Sequence, residues 1–216
     1  MAYLSAEERR RTIIDAAIEV IAQEGLTRAT TRRIAERANA PLGALHYCFR
    51  NKEELIQVVA DEGAQMLEAA FDEVDPSAGF EQTLRDSIAA LWHWVEGNSG
   101  LQMALLEMAM WRIREAEESA DLYEMWTRFG GDLLSDRLGR ALEQDPVELM
   151  VPLEEIVRFI NHRFDGLILE FAASGDIEAC RRQTEMLADA MLLLSVPGTE
   201  PRSARSGGGR PQPASP

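Results

Sequence analysis

Apolar residues recur along this chain at the spacing of helices. Ile13, Ile14, Ala17, Ile18 and Ile21 mark one face of a first helix, which Gly25 stops. Thr30 fits the N-cap of a short second helix running to about Ala38. Asn39 suits a left-handed position in a tight turn. Pro41 suits the first turn of a third short helix, where its missing N–H costs little, and that helix ends near residues 49–50. Asn51 caps a fourth, with Glu53 and Glu54 at the positive end of its dipole and Leu55, Val59, Leu67 and Phe71 on its apolar side. Asp75-Pro76-Ser77 breaks this helix. Helical patterns follow over 80–95, 101–118, 122–142, 153–173 and 177–194, with a bend expected at Gly130-Gly131. Gly97-Asn98-Ser99-Gly100 reads as a turn and 145–152 as a connector. No strand pattern and no repeat emerges, so the pattern predicts an all-α fold of about nine helices. The final PGTEPRSARSGGGRPQPASP has no apolar period and is rich in Pro, Gly, Ser and Arg, which predicts a disordered tail.

Charge divides the chain in two. The 216 residues carry a formal net charge of -15, which taken alone argues against phosphate binding. Residues 1–60, however, hold nine basic and eight acidic side chains, while the remainder holds 13 basic and 29 acidic. A nearly neutral head is therefore joined to a strongly acidic body, and the head remains available to DNA. Cys48 and Cys180 give neither a disulfide framework nor metal-ligand spacing. The N-terminus lacks the apolar run of a signal peptide, and no stretch reaches the roughly 18 apolar residues of a membrane span, so a cytoplasmic protein is expected. HExxH, GxGxxG, GxSxG and CxxC are all absent, as is any histidine pair at i,i+4. No catalytic residue, metal site or cofactor is therefore expected, and the chain does not read as an enzyme.

Two short helices joined by a tight turn suggest a helix-turn-helix. Ile34, Ala35 and Ala38 offer a small apolar face on the first of them, and Leu45 packs against it from the second. By pattern alone the same residues also suit a corner of any helical core. The wording IIDAAIEVIAQEG followed by TTRRIAERANAPLGALHYCFRNKEEL closely resembles the N-terminal domain of the TetR family of bacterial transcriptional regulators. Gly25, Thr30, Ile34, Ala35, Ala38, Gly43, Leu45, Tyr47, Phe49, Lys52 and Leu55 stand where that pattern wants them. The resemblance covers about residues 10–60. It implies a three-helix DNA-binding head over 1–52, a ligand-binding and dimerisation domain over 53–196, and a tail over 197–216. There are departures: His46 and Cys48 stand where the family usually has Tyr and His, and Asn39 and Pro41 where it has Gly and Ser.

Candidate DNA contacts follow. Arg32 lies near the start of the second helix, where a guanidinium can clamp phosphate, and Thr30 fixes a helix end whose N–H groups can also face phosphate. The family usually places a backbone contact at Lys52. Arg28 reaches toward backbone or minor groove, and Arg33 is a candidate direct contact. Tyr47, and His46 in place of the usual tyrosine, address phosphate; a partly protonated His46 would make affinity pH-sensitive. Leu42, Gly43 and Ala44 carry no bidentate hydrogen-bonding group, so readout would rest on thymine methyls, close backbone approach and DNA shape. The plain alternative for each cation is solvated surface.

In the body, Trp92, Met103, Met110, Trp111, Trp126 and Phe129 suit an apolar pocket that repacks around ligands, or simply a core built from large residues. The resemblance implies a ligand cavity bounded by the helices holding Trp92, Met103 and Trp126. Glu107, inside LQMALLEMAMW, would recognise a cation or donor if it faced that cavity, and His162 is a further polar candidate. Both can equally lie on a solvated face. Phe164, Ile168, Phe171, Leu187 and Met191 give the last two helices broad apolar faces, and in the family two such helices per subunit form a four-helix dimer interface. The expected function is a ligand-responsive repressor that binds a palindromic operator in double-stranded DNA as a homodimer and is released by a small, largely apolar effector. The alternative is a helical interaction or architectural protein with weak or lost DNA binding.

Overall fold

The computed structural model describes residues 5–115 and 120–197, with side chains described for 5–111 and 130–195. Helix α1 (Ala6–Glu24) opens on a reciprocal cap: Ser5 Oγ accepts the Glu8 N–H at 3.1 Å, and the Glu8 carboxylate accepts the Ser5 N–H at 2.8 Å. Gly25 ends it at φ 84°, a conformation that favours glycine. Helix α2 (Thr31–Arg37) starts where Thr30 Oγ1 accepts the Arg33 N–H, and Asn39 takes the left-handed turn at φ 49°. Pro41 stands one position before α3 (Leu42–Cys48), as its N-cap rather than in its first turn. Asn51 Oδ1 accepts the Glu54 N–H at 2.8 Å and opens α4 (Lys52–Phe71).

The head closes on Ile13, Ala17, Ile21, Ile34, Ala35, Leu45 and Phe49, all buried. The Arg10 guanidinium lies 4.7 Å above the Phe49 ring and donates to the Cys48 carbonyl, which fixes the end of α3 against α1. The body continues through a 3-10 turn (Pro76–Ala78), α5 (Phe80–Gly97), α6 (Ser99–Glu115), α7 (Ala120–Gln144), α8 (Leu153–Ser174) and α9 (Ile177–Leu192). Helix α6 lies along α1, so the apolar core runs without a break from Ile13 to Met191. The boundary at residue 52 is the start of a helix rather than a gap in packing.

Three expectations change. The turn expected over 97–100 shrinks to Asn98, whose Nδ2 donates back to the Trp94 carbonyl at 2.9 Å. Helix α7 runs without interruption through Gly130 and Gly131, and these glycines admit α8 instead: a Cβ on Gly131 would lie 3.1 Å from Asn161 Nδ2. The connector at 145–152 contains β1 (Val147–Leu149), paired antiparallel with β2 (Ser195–Pro197). Strands of three residues are too short to print a period-2 pattern, and this one takes in Pro197 at the edge of the expected tail. Residues 198–216 of that tail lie outside the described residues.

Candidate DNA-reading head and effector cleft

Helix α3 presents its outer face without cover. Leu42, Gly43, His46 and Tyr47 are exposed, Tyr47 to 84%, while Leu45 on the opposite side is fully buried. A Cβ on Gly43 would meet nothing within 4 Å, so another surface can approach the backbone there. Ala44 is half-buried. Thr30 caps α2 with its hydroxyl, and Arg28 is exposed on the turn before it. Arg50, which the sequence reading passed over, is exposed just beyond α3; its place directly after the aromatic pair Tyr47 and Phe49 was the available signal.

The cations of α2 are less available than their sequence positions suggest. Arg33 donates to Glu24 at 2.6 Å and also reaches Glu36, which ties α2 to the end of α1. The Arg33 hydrogen bond holds the Glu24 carboxyl below its ordinary range. Arg33, expected as a direct DNA contact, is half exposed, and in this structure its guanidinium is shared between Glu24 and Glu36. Arg37 pairs with Glu19 in the same way. Arg32 meets Glu36 one turn on, but its side chain is 82% exposed and the pair is open to exchange for phosphate.

Lys52 also departs from expectation. Its Nζ donates to the Leu26 carbonyl at 2.6 Å, and burial lowers the ammonium below the ordinary lysine value. Half-buried, Lys52 holds the α1–α2 turn through this bond. The same residue is held from the other side. The Glu107 carboxylate accepts the Leu26 N–H at 2.6 Å, in space left by Gly25. Glu107, expected as an effector ligand, is not among the residues lining the cleft of the body, and one of its carboxylate oxygens makes a charge-assisted bond to the head.

The body contains a cleft, partly open to solvent, between α4, α5, α6, α7 and α8. Leu67, Leu91, Trp94, Val95, Leu105, Phe164 and Ile168 make its walls apolar, and Gln102, Asn161, His162 and Asp165 supply polar groups. Gln102 is 3% exposed and its Nε2 has no hydrogen-bond partner among the described residues. A buried amide donor left without a partner carries a desolvation penalty that a ligand acceptor relieves. Of the expected ligand residues, His162 lines this cleft. Trp92 packs edge-on against Phe171 with centroids 5.7 Å apart, Met103 and Trp111 are half-buried against the core, and Met110 is exposed. Trp126 and Phe129 lie outside the described side chains. Gln102 was missed, though it is the one polar residue interrupting the apolar run LQMALL.

Residues 13–59 match the model of the bacterial regulatory proteins of the tetR family. The nicotine-responsive transcriptional repressor HdnoR of Paenarthrobacter nicotinovorans is 35% identical over 190 residues, covering 88% of this chain and 96% of that protein. The chain belongs to the TetR family of transcriptional regulators. A transcriptional repressor of Mycobacterium tuberculosis is 27% identical over 173 residues, 78% of this chain and 84% of its own. The fatty acid degradation regulator FadR of Bacillus halodurans shares the fold with a TM-score of 0.69 at 19% identity, covering 86% of this chain and 94% of that one. TetR-family proteins are regulators of transcription and not enzymes. Among the described residues no helix is long and apolar enough to cross a membrane, and no group of His, Cys, Asp or Glu is placed to hold a metal.

For this TetR-family chain the dimer residues expected from sequence lie mostly on the inner side of the protomer. Phe164, Ile168, Leu187 and Met191 are buried in the protomer's own core, and Phe171 is half-buried against Trp92. They answer to α5 and to each other, because α8 and α9 must first close the body. The apolar residues left outside are different: Phe159 and Leu169 on α8, and Met186 on α9 with Leu193 just beyond it.

Proposed function

We propose that this protein is a ligand-responsive repressor that binds a palindromic operator as a homodimer and lets go when a small, largely apolar effector fills the cleft. The observation that carries the reading is the pairing of a bare α3 face with an apolar cleft holding a buried Gln102 whose Nε2 has no hydrogen-bond partner among the described residues. One short helix makes too few contacts for tight binding, so two heads one helical turn of DNA apart, or a multiple of it, are required. Phe159, Gly166, Leu169 and Ala173 fall on one stripe of α8, and Met186, Ala190 and Leu193 line the outer side of α9 and its end. Face to face with a second copy, these stripes form the four-helix seam.

The effector is compact, apolar over most of its surface, and carries a hydrogen-bond acceptor for Gln102. A nicotine-responsive relative sharing 96% of its length supports this size and polarity, since nicotine is a small molecule with ring nitrogen acceptors. Domain roles follow: 1–52 reads DNA, and 53–196 senses the ligand and dimerises. Effector binding then shifts the population between a DNA-competent and an incompetent spacing of the heads.

The test is an anisotropy titration of the DNA upstream of the protein's own gene at low salt. The expected result is saturable binding of a palindromic fragment by one or more dimers, reversed by nicotine or a similarly small heterocycle. Absence of binding to every palindromic fragment would sink the reading and favour a helical interaction protein.

A further inference from the structure

Filling a cleft in the body has to be felt in the head, and α6, which lines the cleft and packs along α1, is one path between them. We propose that Glu107 is a positioning residue that couples the cleft to the DNA-reading head through the peptide groups of Leu26. This rests on the cleft being the effector site.

Helix α6 faces two ways. Gln102 and Leu105 line the cleft, while Glu107 points to the head. Two residues of α-helix rotate by about 200°, so Leu105 and Glu107 stand on nearly opposite sides of one rigid rod. A shift of α6 away from a bound molecule therefore moves the carboxylate as well as the cleft wall. What the carboxylate holds is a single residue at a critical place. Leu26 follows the end of α1, and its N–H goes to Glu107 while its carbonyl goes to Lys52, both at 2.6 Å. Anion on the donor side and cation on the acceptor side make both bonds charge-assisted.

The turn they hold is compact. The Gly25 carbonyl accepts the N–H groups of Arg28 and Ala29 at 3.1 Å, and Thr30 then caps α2. Fixing Leu26 thus fixes the turn that carries the exposed Arg28 and leads into α2. Gly25 serves the same contact: a Cβ there would lie 3.2 Å from the Glu107 carboxylate. Lys52 is the first residue of α4, which runs from the head to the cleft wall at Leu67. The Leu26 peptide groups are consequently gripped by α6 and by α4 together, and both helices also line the cleft.

Coupling between sites is reciprocal, so operator DNA itself is a sufficient probe. Hydrogen exchange of the full-length protein is compared with and without a saturating operator fragment, for the wild type and three variants. In the wild type, operator binding slows exchange at Leu26 and across residues 102–108 of α6. Glu107→Ala and Glu107→Asp (the latter keeps the charge but falls a methylene short) lose the α6 response and bind operator about tenfold more weakly, within the usual range of coupling between sites. Glu107→Gln keeps an acceptor oxygen and retains the response. Should Glu107→Ala fail to fold by circular dichroism, the contrast between Asp and Gln decides. An α6 response that survives in Glu107→Asp, or one lost equally in Asp and Gln, overturns the proposal. A wild type that binds operator with no change in α6 overturns it while leaving the repressor reading intact; a wild type that binds no operator sinks both.

Discussion

At the scale of single residues, the head contains two adjacent arginines with different jobs. Arg33 is half exposed and bridges Glu24 and Glu36, whereas Arg32 is almost wholly exposed beside a single i,i+4 carboxylate. A cation that neutralises a phosphate releases a counterion, and each such contact adds about 0.9 to the slope of log affinity against log salt. Arg32→Ala is therefore expected to weaken binding to all sequences alike and to lower that slope by about one, as read by operator titrations at several salt concentrations. Arg33→Ala should leave the slope unchanged and show itself instead as faster proteolysis of the α1–α2 turn. An equal loss of slope in both variants would refute the distinction. A third residue tests the motif's packing. Leu45 is fully buried beneath α3, and Leu45→Ala should cost about 3 kcal/mol in urea denaturation, typical for a leucine removed from a core. The identity of these residues was legible in the sequence, because residue types at fixed offsets define the motif. The direction of their side chains was not. Lys52 and Glu107 both turn toward Leu26, a residue with no distinguishing mark in the sequence, and nothing in local periodicity says that a carboxylate 81 positions away will reach it.

Among whole elements, the nine α-helices of the described residues follow from apolar spacing and caps, and their ends fall within a few residues of the expected places. The two strands were illegible since each pairs only three residues, across a separation of nearly fifty. The glycines of α7 show why pattern alone misjudged a helix. Gly130-Gly131 resembles a hinge, yet the chain stays helical and the missing side chains let Asn161 come close. Gly139, in the same helix, faces open space. Replacing glycine by alanine inside a helix stabilises by about 0.5–1 kcal/mol when nothing obstructs the new methyl. Gly139→Ala should accordingly raise stability by about that amount in urea melts. Gly131→Ala should lower it, because Asn161 must move from its place on the cleft wall. If both variants are stabilised, Asn161 is not held where it stands, and the polar wall of the cleft is softer than this packing implies.

For the molecule as a whole, charge and exposed apolar surface divide the labour. A body with 13 basic against 29 acidic residues past position 60 repels a phosphate backbone, which leaves the head as the DNA-facing end. Such a body would also repel a second copy unless apolar contact outweighs the charge. Leu169 and Phe159 stand on the outer side of α8 at 52% and 55% exposure, on the stripe proposed to meet its counterpart across a twofold axis. Leu169→Glu places two new carboxylates near that axis while removing nothing from the protomer's core. The expected result is a monomer by sedimentation with an unchanged helical spectrum. Operator binding then falls by about a hundredfold or more, the loss that follows when two linked heads become one. Leu187→Glu is the control that separates the two faces of the same helix pair. Leu187 is 5% exposed, so burying a carboxylate there should unfold the protomer instead of dissociating a folded dimer. A Leu169→Glu variant that stays dimeric would move the seam off this stripe. A Leu187→Glu variant that yields a folded monomer would return the seam to the inner faces of α8 and α9, where the family resemblance had put it.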